Sequence, residues 1–217
     1  MFDACRQEGR AALIGYLPTG YPGVATSISA MTALVESGCD VIEVGMPYSD
    51  PGMDGPTIAS ATEAALRGGV RVRDSLKAVE AISKAGGRAV VMTYWNLVLH
   101  YGVDAFARDL ASAGGLGMIT PDLIPDEAGE WIAVSDAHDL DRIFLVAPSS
   151  TPERLAATAN ASRGFVYAAS TMGVTGARDA VSVAAPELVR RVKGGGDIPL
   201  GVGVGGRSRE QAAPIGA

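Results

Sequence analysis

Short apolar runs recur along the chain, separated by amphipathic stretches. The runs are Ala12–Leu17, Val41–Val44, Ala89–Met92, Gly117–Ile119, Ile143–Val146, Phe165–Tyr167 and Leu200–Val204. They are nearly continuous rather than alternating, the pattern of strands covered on both faces. Between them, apolar residues repeat at helical spacing: Val24, Ile28, Met31 and Val35, then Leu76, Val79 and Ile82, then Phe106, Leu110 and Ala113. Trp131 and Val134 continue the series, with Ala128 and Ala137 beside them. Thr151-Pro152-Glu153 predicts a helix start, threonine as the cap and proline in the first turn. Pro186 marks another in the segment from Ser182 to Lys193, which Gly194-Gly195-Gly196 stops. Parallel strands need a crossover of about a dozen residues or more, and these gaps supply it.

Strands alternating with helices and no break in composition predict a single α/β domain over residues 1–217. A (β/α) barrel and an open doubly wound sheet both fit, and the alternation does not separate them. A complete eight-stranded barrel takes about 250 residues. No eighth strand or closing helix is legible before Ala217, so the expectation is a barrel incomplete at its C-terminus.

Composition narrows the function classes. With 47% hydrophobic residues, 19% charged and a net charge of −6, the chain has no basic patch of the density that nucleic acid requires. No apolar run approaches the roughly 20 residues of a membrane span, and no secretory signal pattern opens the chain. Cys5 and Cys39 are too few for a disulfide framework or a thiolate metal site, and His100 and His138 too scattered for a zinc triad. The expectation is a cytoplasmic protein with reduced thiols and no metal. Glycine, at 28 residues, is the outlier. Many glycines flank the apolar runs, where the chain must turn sharply or approach a ligand closely.

The chemistry concentrates in Asp40-Val-Ile-Glu-Val-Gly-Met-Pro-Tyr-Ser-Asp-Pro-Gly-Met-Asp-Gly-Pro-Thr-Ile58. Glu43 lies inside an apolar run, where a carboxylate is costly unless hydrogen-bonded or used, and where burial raises its pKa toward a value useful for proton transfer. Asp50 and Asp54 follow in a Pro/Gly-rich loop beyond the strand's C-terminal end, the face on which barrels place their chemistry. Asp54-Gly55-Pro56-Thr57 also reads as a helix start, so capping competes with catalysis at Asp54. Met46-Pro47-Tyr48 and Met53 put apolar side chains on the same loop, suited to a partner surface or a lid. Gly173-Val-Thr-Gly176 and Gly203-Val-Gly205-Gly206 follow the sixth and seventh runs, and their amides could cradle a phosphate without a lysine. No P-loop sequence is present. Tyr16, Tyr94, Asn96, Asp122 and Tyr167 lie at or just past strand ends, where polar tips could line a pocket for an apolar ring or simply pack at the rim.

These residues resemble the tryptophan synthase alpha subunit family. The segment from Asp40 to Ile58 matches its long signature, supported by Leu17-Pro-Thr-Gly-Tyr-Pro22, Met92-Thr-Tyr-Trp-Asn-Leu-Val98, Gly114-Gly-Leu-Gly-Met-Ile-Thr-Pro-Asp-Leu-Ile-Pro125 and Gly173-Val-Thr-Gly-Ala177. The resemblance implies a (β/α)8 or TIM barrel and a carbon–carbon lyase of tryptophan biosynthesis. It would cleave indole-3-glycerol phosphate to indole and glyceraldehyde 3-phosphate without metal or organic cofactor. It further implies Glu43 as the acid–base group and Asp54 as the partner of the indole N–H. Tyr16, Tyr94, Asp122, Tyr167 and Thr175 would line the substrate, and Gly176, Gly205 and Gly206 would hold the phosphate. The implied partner is a pyridoxal-phosphate-dependent beta subunit in an α2β2 complex, touching the loop near Met53–Pro56 and receiving indole. Two other readings stay open: another phosphate-binding barrel lyase or isomerase, and an inactive truncated barrel that only binds and activates the beta subunit. The family carries a further Gly-Ser pair on a following strand, for which no counterpart is legible. Arg207 departs from the family's usual residue and stands either near the phosphate or in solvent.

Overall fold

The computed structural model describes residues 1–169, 184–193 and 197–203. Seven strands form one sheet in sequence order, each pairing with the next. They are β1 (Ile14–Pro18), β2 (Val41–Gly45), β3 (Ala89–Met92), β4 (Gly117–Thr120), β5 (Asp141–Val146), β6 (Val166–Ala169) and β7 (Leu200–Gly203). Every pair is parallel. A doubly wound sheet reverses its strand order part-way; this one does not. The sheet also curls toward closure: a Cβ built on Gly201 of β7 would lie 3.8 Å from Ile14 Cδ1 on β1. The architecture is thus an open (β/α) barrel, seven strands being present among the described residues.

Helices cover the outside: α1 (Phe2–Gln7), α2 (Val24–Glu36), α3 (Pro56–Arg67), α4 (Val72–Lys84), α5 (Trp95–Tyr101), α6 (Val103–Ser112), α7 (Gly129–Ala137), α8 (Pro152–Ala161) and α9 (Ala184–Lys193). None of these is long and apolar enough to cross a membrane. Alternation along each strand divides the core in two. On β2, Ile42 and Val44 pack outward in the layer that also holds Met31, Val79 and Ile82. Val41 packs inward with Val90, Ile119, Ile143 and Phe165. α1 closes this inner layer at its N-terminal end, Phe2 meeting Phe165 edge-on with centroids 5.7 Å apart.

The expected runs and the observed strands differ at their ends for physical reasons. β1 starts at Ile14 rather than Ala12, because Leu13 is exposed and its N–H goes to the Asp40 carboxylate at 2.8 Å instead of the ladder. β5 begins two polar residues earlier than its apolar run, at Asp141 and Arg142, whose side chains pair with Arg163 and Asp136 at the barrel rim. Thr151 accepts from the Arg154 N–H at 3.3 Å with Pro152 in the first turn of α8, as expected. α5 was not legible as a separate helix. Gly102, at φ 93°, ends it and opens α6, a conformation that favours glycine.

Candidate active site

Glu43 sits on β2 in register with Tyr16 of β1, both at inward positions. Only 5% of it is exposed. Burial pushes its carboxyl up to about 7, since the charged form loses its hydration. Among the described residues no side chain donates a hydrogen bond to it, so nothing offsets that penalty. Two phenols flank it electrostatically. Tyr16 is raised first by burial and then by the charges of Asp54 and Glu43; Tyr167 of β6 is raised by burial and then by Glu43.

Two glycines make room for these phenols. A Cβ on Gly45 would lie 2.5 Å from the Tyr16 hydroxyl oxygen, and one on Gly203 would fall 2.7 Å from Cζ of Tyr167. In each case the tyrosine leans across the neighbouring strand toward its C-terminal end, where only hydrogen occupies the space.

Asp54 is half-buried on the loop between β2 and α3. Burial raises its carboxyl above the usual range, opposed by the Tyr94 hydroxyl, which donates to Oδ1 at 3.0 Å. The same hydroxyl accepts from the Met53 N–H at 2.9 Å, so one phenol holds both the loop backbone and its carboxylate. Tyr94 is itself buried at 8% exposure, immediately before α5. Its ring rests against Tyr48, centroids 5.3 Å apart and planes tilted by 32°. The Tyr48 hydroxyl accepts from Asn96 Nδ2 at 3.0 Å.

Asp122 plays a different part in the structure. Its carboxylate accepts from the Trp95 N–H through both oxygens, at 2.9 and 3.1 Å, at the first turn of α5. It caps a helix whose own cap position, Tyr94, has no capping side chain. The structure therefore brings Tyr16, Glu43, Asp54, Tyr94 and Tyr167 together, with Asp122 supporting Tyr94 from behind. Asn96 is exposed on α5 and faces Tyr48. Asp50 is exposed on the same loop as Asp54, accepting from the Ser49 hydroxyl. Thr175, Gly176, Gly205, Gly206 and Arg207 lie outside the described residues. Among those described, no group of three or more His, Cys, Asp or Glu side chains is placed to hold a metal ion. The Tyr48 hydroxyl is the group that sequence reasoning missed, having been read as part of an apolar loop.

The whole arrangement stands at the C-terminal ends of the strands, where barrels carry their chemistry. Residues 2–217 match the family described as tryptophan synthase alpha chain. The chain belongs to this family. The tryptophan synthase alpha chain of Mycobacterium tuberculosis is 82% identical over 215 residues, which are 99% of this chain and 80% of that one. That of Mycobacterium avium is 80% identical over 216 of this chain's 217 residues, which are 80% of the relative. The M. tuberculosis tryptophan synthase structure superposes with a TM-score of 0.95 at 81% identity, covering 99% of this chain and 82% of that one. The likeness persists at distance: the chain from the Pyrococcus furiosus tryptophan synthase α2β2 complex superposes with a TM-score of 0.87 at 29% identity, covering 94% and 82%. Among tryptophan synthase alpha chains this one is therefore a near relative of the mycobacterial members, in sequence and in fold.

Proposed function

We propose that Glu43 and Asp54 divide the work of a carbon–carbon lyase, cleaving indole-3-glycerol phosphate to indole and glyceraldehyde 3-phosphate. The observation that carries this reading is the contrast between the two carboxyls. Glu43 is sealed and holds its proton to about pH 7, so both its protonation states are populated near neutrality. Asp54 is half-buried and pinned through Oδ1 by Tyr94, and its second oxygen is the one assigned to the substrate.

Breaking a bond at an aromatic carbon requires that carbon to become tetrahedral first. Glu43, as the acid, delivers its proton to indole C3, and positive charge develops on the ring nitrogen. Asp54 accepts the ring N–H and stabilises that charge. The Glu43 carboxylate then takes the proton of the adjacent glycerol hydroxyl. The C–O bond becomes a carbonyl, the C3 bond breaks, and its electron pair restores the aromatic ring. The proton count balances, and Glu43 ends as it began. Tyr16, Tyr167 and Thr175 line the substrate, while the glycines at 176, 205 and 206 serve the phosphate end.

The relative from P. furiosus is described as an α2β2 complex, and we extend that assembly to this chain, with the pyridoxal phosphate confined to the beta subunit and a cytoplasmic location. Support comes from the rim that carries the site. Leu99 and Ile124, on segments after β3 and β4, are 51% and 40% exposed. The test is indole release from indole-3-glycerol phosphate by this chain, alone and with saturating beta subunit, beside Glu43→Gln. Release that rises with the partner and disappears in the variant supports the reading. A folded, partner-binding chain that releases none overturns it in favour of an inactive, partner-activating barrel.

A further inference from the structure

We propose that Tyr48 is a positioning residue for Asp54, acting through Tyr94 along the chain Asn96, Tyr48, Tyr94, Asp54. This rests on the reading that Asp54 meets the substrate.

Asp54 lies on a loop rather than on a strand, and a loop holds a side chain loosely unless something outside it fixes both backbone and carboxylate. Tyr94 does both, its single hydroxyl accepting from the Met53 N–H and donating to Asp54 Oδ1. Its usefulness then depends on where its ring stands. A phenol swings its oxygen through an arc about the Cβ, so a small tilt of the ring carries the hydroxyl out of reach of one of its two partners. The Tyr48 ring closes one side of that arc, with centroids 5.3 Å apart. Tyr48 is in turn held at its far end, where its hydroxyl accepts from Asn96 Nδ2 at 3.0 Å. Asn96 stands two residues after Tyr94 on α5, whose first N–H is fixed by Asp122. The loop and the helix thus grip each other twice: once at the carboxylate, and once at an exposed amide that touches no reacting group.

A phenylalanine at position 48 keeps the ring contact and releases only the outer grip. The titratable groups coupled to Asp54 are the phenols of Tyr16 and Tyr94, with Asp122 facing Tyr94 from the loop after β4. Slackening Tyr94 removes a bond that favours the Asp54 carboxylate, so the acid limb of turnover that Asp54 controls moves to higher pH.

The experiment measures kcat, KM and the pH profile of indole release with saturating beta subunit. The variants are Tyr48→Phe, Asn96→Ala, Tyr94→Phe, Asp54→Asn, and the double variant Tyr48→Phe/Tyr94→Phe. Tyr48→Phe is expected to lower kcat about fivefold, the worth of one ordinary hydrogen bond, with KM within about twofold and the acid limb moved upward. Asn96→Ala breaks the same bond from the other side and reproduces the effect. In the Tyr94→Phe background, Tyr48→Phe costs nothing further, because its route to Asp54 has gone. Additive losses in the double variant overturn the proposal. So does a Tyr48→Phe loss that tracks a lowered melting temperature with an unmoved pH profile, the sign of a merely structural ring. If Asp54→Asn is impaired while Tyr48→Phe behaves as the parent, this inference alone fails. Full turnover by Asp54→Asn removes the reading beneath it.

Discussion

At the scale of single residues, the site is built at a cost to the fold. An ordinary glutamate loses its proton near 4.5, whereas Glu43 keeps it to about 7. Between those values this group makes the folded chain bind more protons than the unfolded one, so its contribution to stability is greatest below about 4.5 and is lost as pH rises through about 7. Glu43→Gln removes the titrating group and escapes that fall. The variant should gain about 3 kcal/mol on the parent at pH 8 relative to its standing at pH 4, measured by urea unfolding at both values. Its indole release should drop by about a hundredfold or more. A stabilising, inactivating substitution separates the function of the carboxyl from any structural duty. The glycines beside it carry the opposite expectation: Gly45→Ala drives a methyl into the Tyr16 hydroxyl, displacing that ring, and should impair turnover while leaving Glu43 in place.

At the scale of elements, α5 is the part whose beginning serves chemistry. Its cap comes from Asp122, 27 residues along the chain. Asp122→Ala should cost about 1 kcal/mol of stability and also lower turnover, because Tyr94 stands at the helix start it releases. Thr151→Ala removes the cap of α8. It should cost a similar amount, about 1 kcal/mol, with turnover unchanged; thermal unfolding and indole assays on both variants make the comparison. This contrast also explains what sequence made legible. The strands at Val41 and Ala89 read clearly because both their faces are covered, and Glu43 read clearly because it interrupts such a run. Thr151-Pro152 carried a local signature. α5 had none, since its cap is remote, and the contacts from Tyr94 to Asp54 and from Asn96 to Tyr48 span 40 and 48 residues. Only the parallel pairing of β2 with β3, whose C-terminal ends carry these segments, brings them within reach.

At the scale of the whole molecule, stability and chemistry occupy opposite ends. The N-terminal end is closed by α1 and by a strap in which Asp40 accepts from both Arg10 terminal nitrogens, at 2.7 and 2.9 Å, and from the Leu13 N–H. The Arg10 guanidinium holds the Asp40 carboxyl down at about 2, below the usual 3.8. Its lowered value means that this contribution is present above pH 4 and is lost as pH falls through about 2. Asp40→Asn should therefore lower the melting temperature at neutral pH, because the amide carries no charge and leaves the Leu13 N–H and the Arg10 guanidinium one accepting oxygen where the carboxylate gives two. The difference should vanish in strong acid, and the catalytic rate of the folded fraction should stay unchanged.

The chain contains two tryptophans, and both lie on one line of contact. Trp131 is wholly buried on α7, and Trp95 meets it edge-on at 6.5 Å from the first turn of α5. Trp95 is also the residue whose N–H Asp122 holds, one step along the chain from the phenol that grips Asp54. The protein consequently carries its own optical gauge. A shift at the start of α5 would alter the contact of Trp95 with the buried Trp131, and with it the tryptophan emission. Mixing the chain with a non-reacting phosphate analogue in a stopped-flow fluorimeter would time the response of that helix to an occupied site, with no dye attached and no residue replaced.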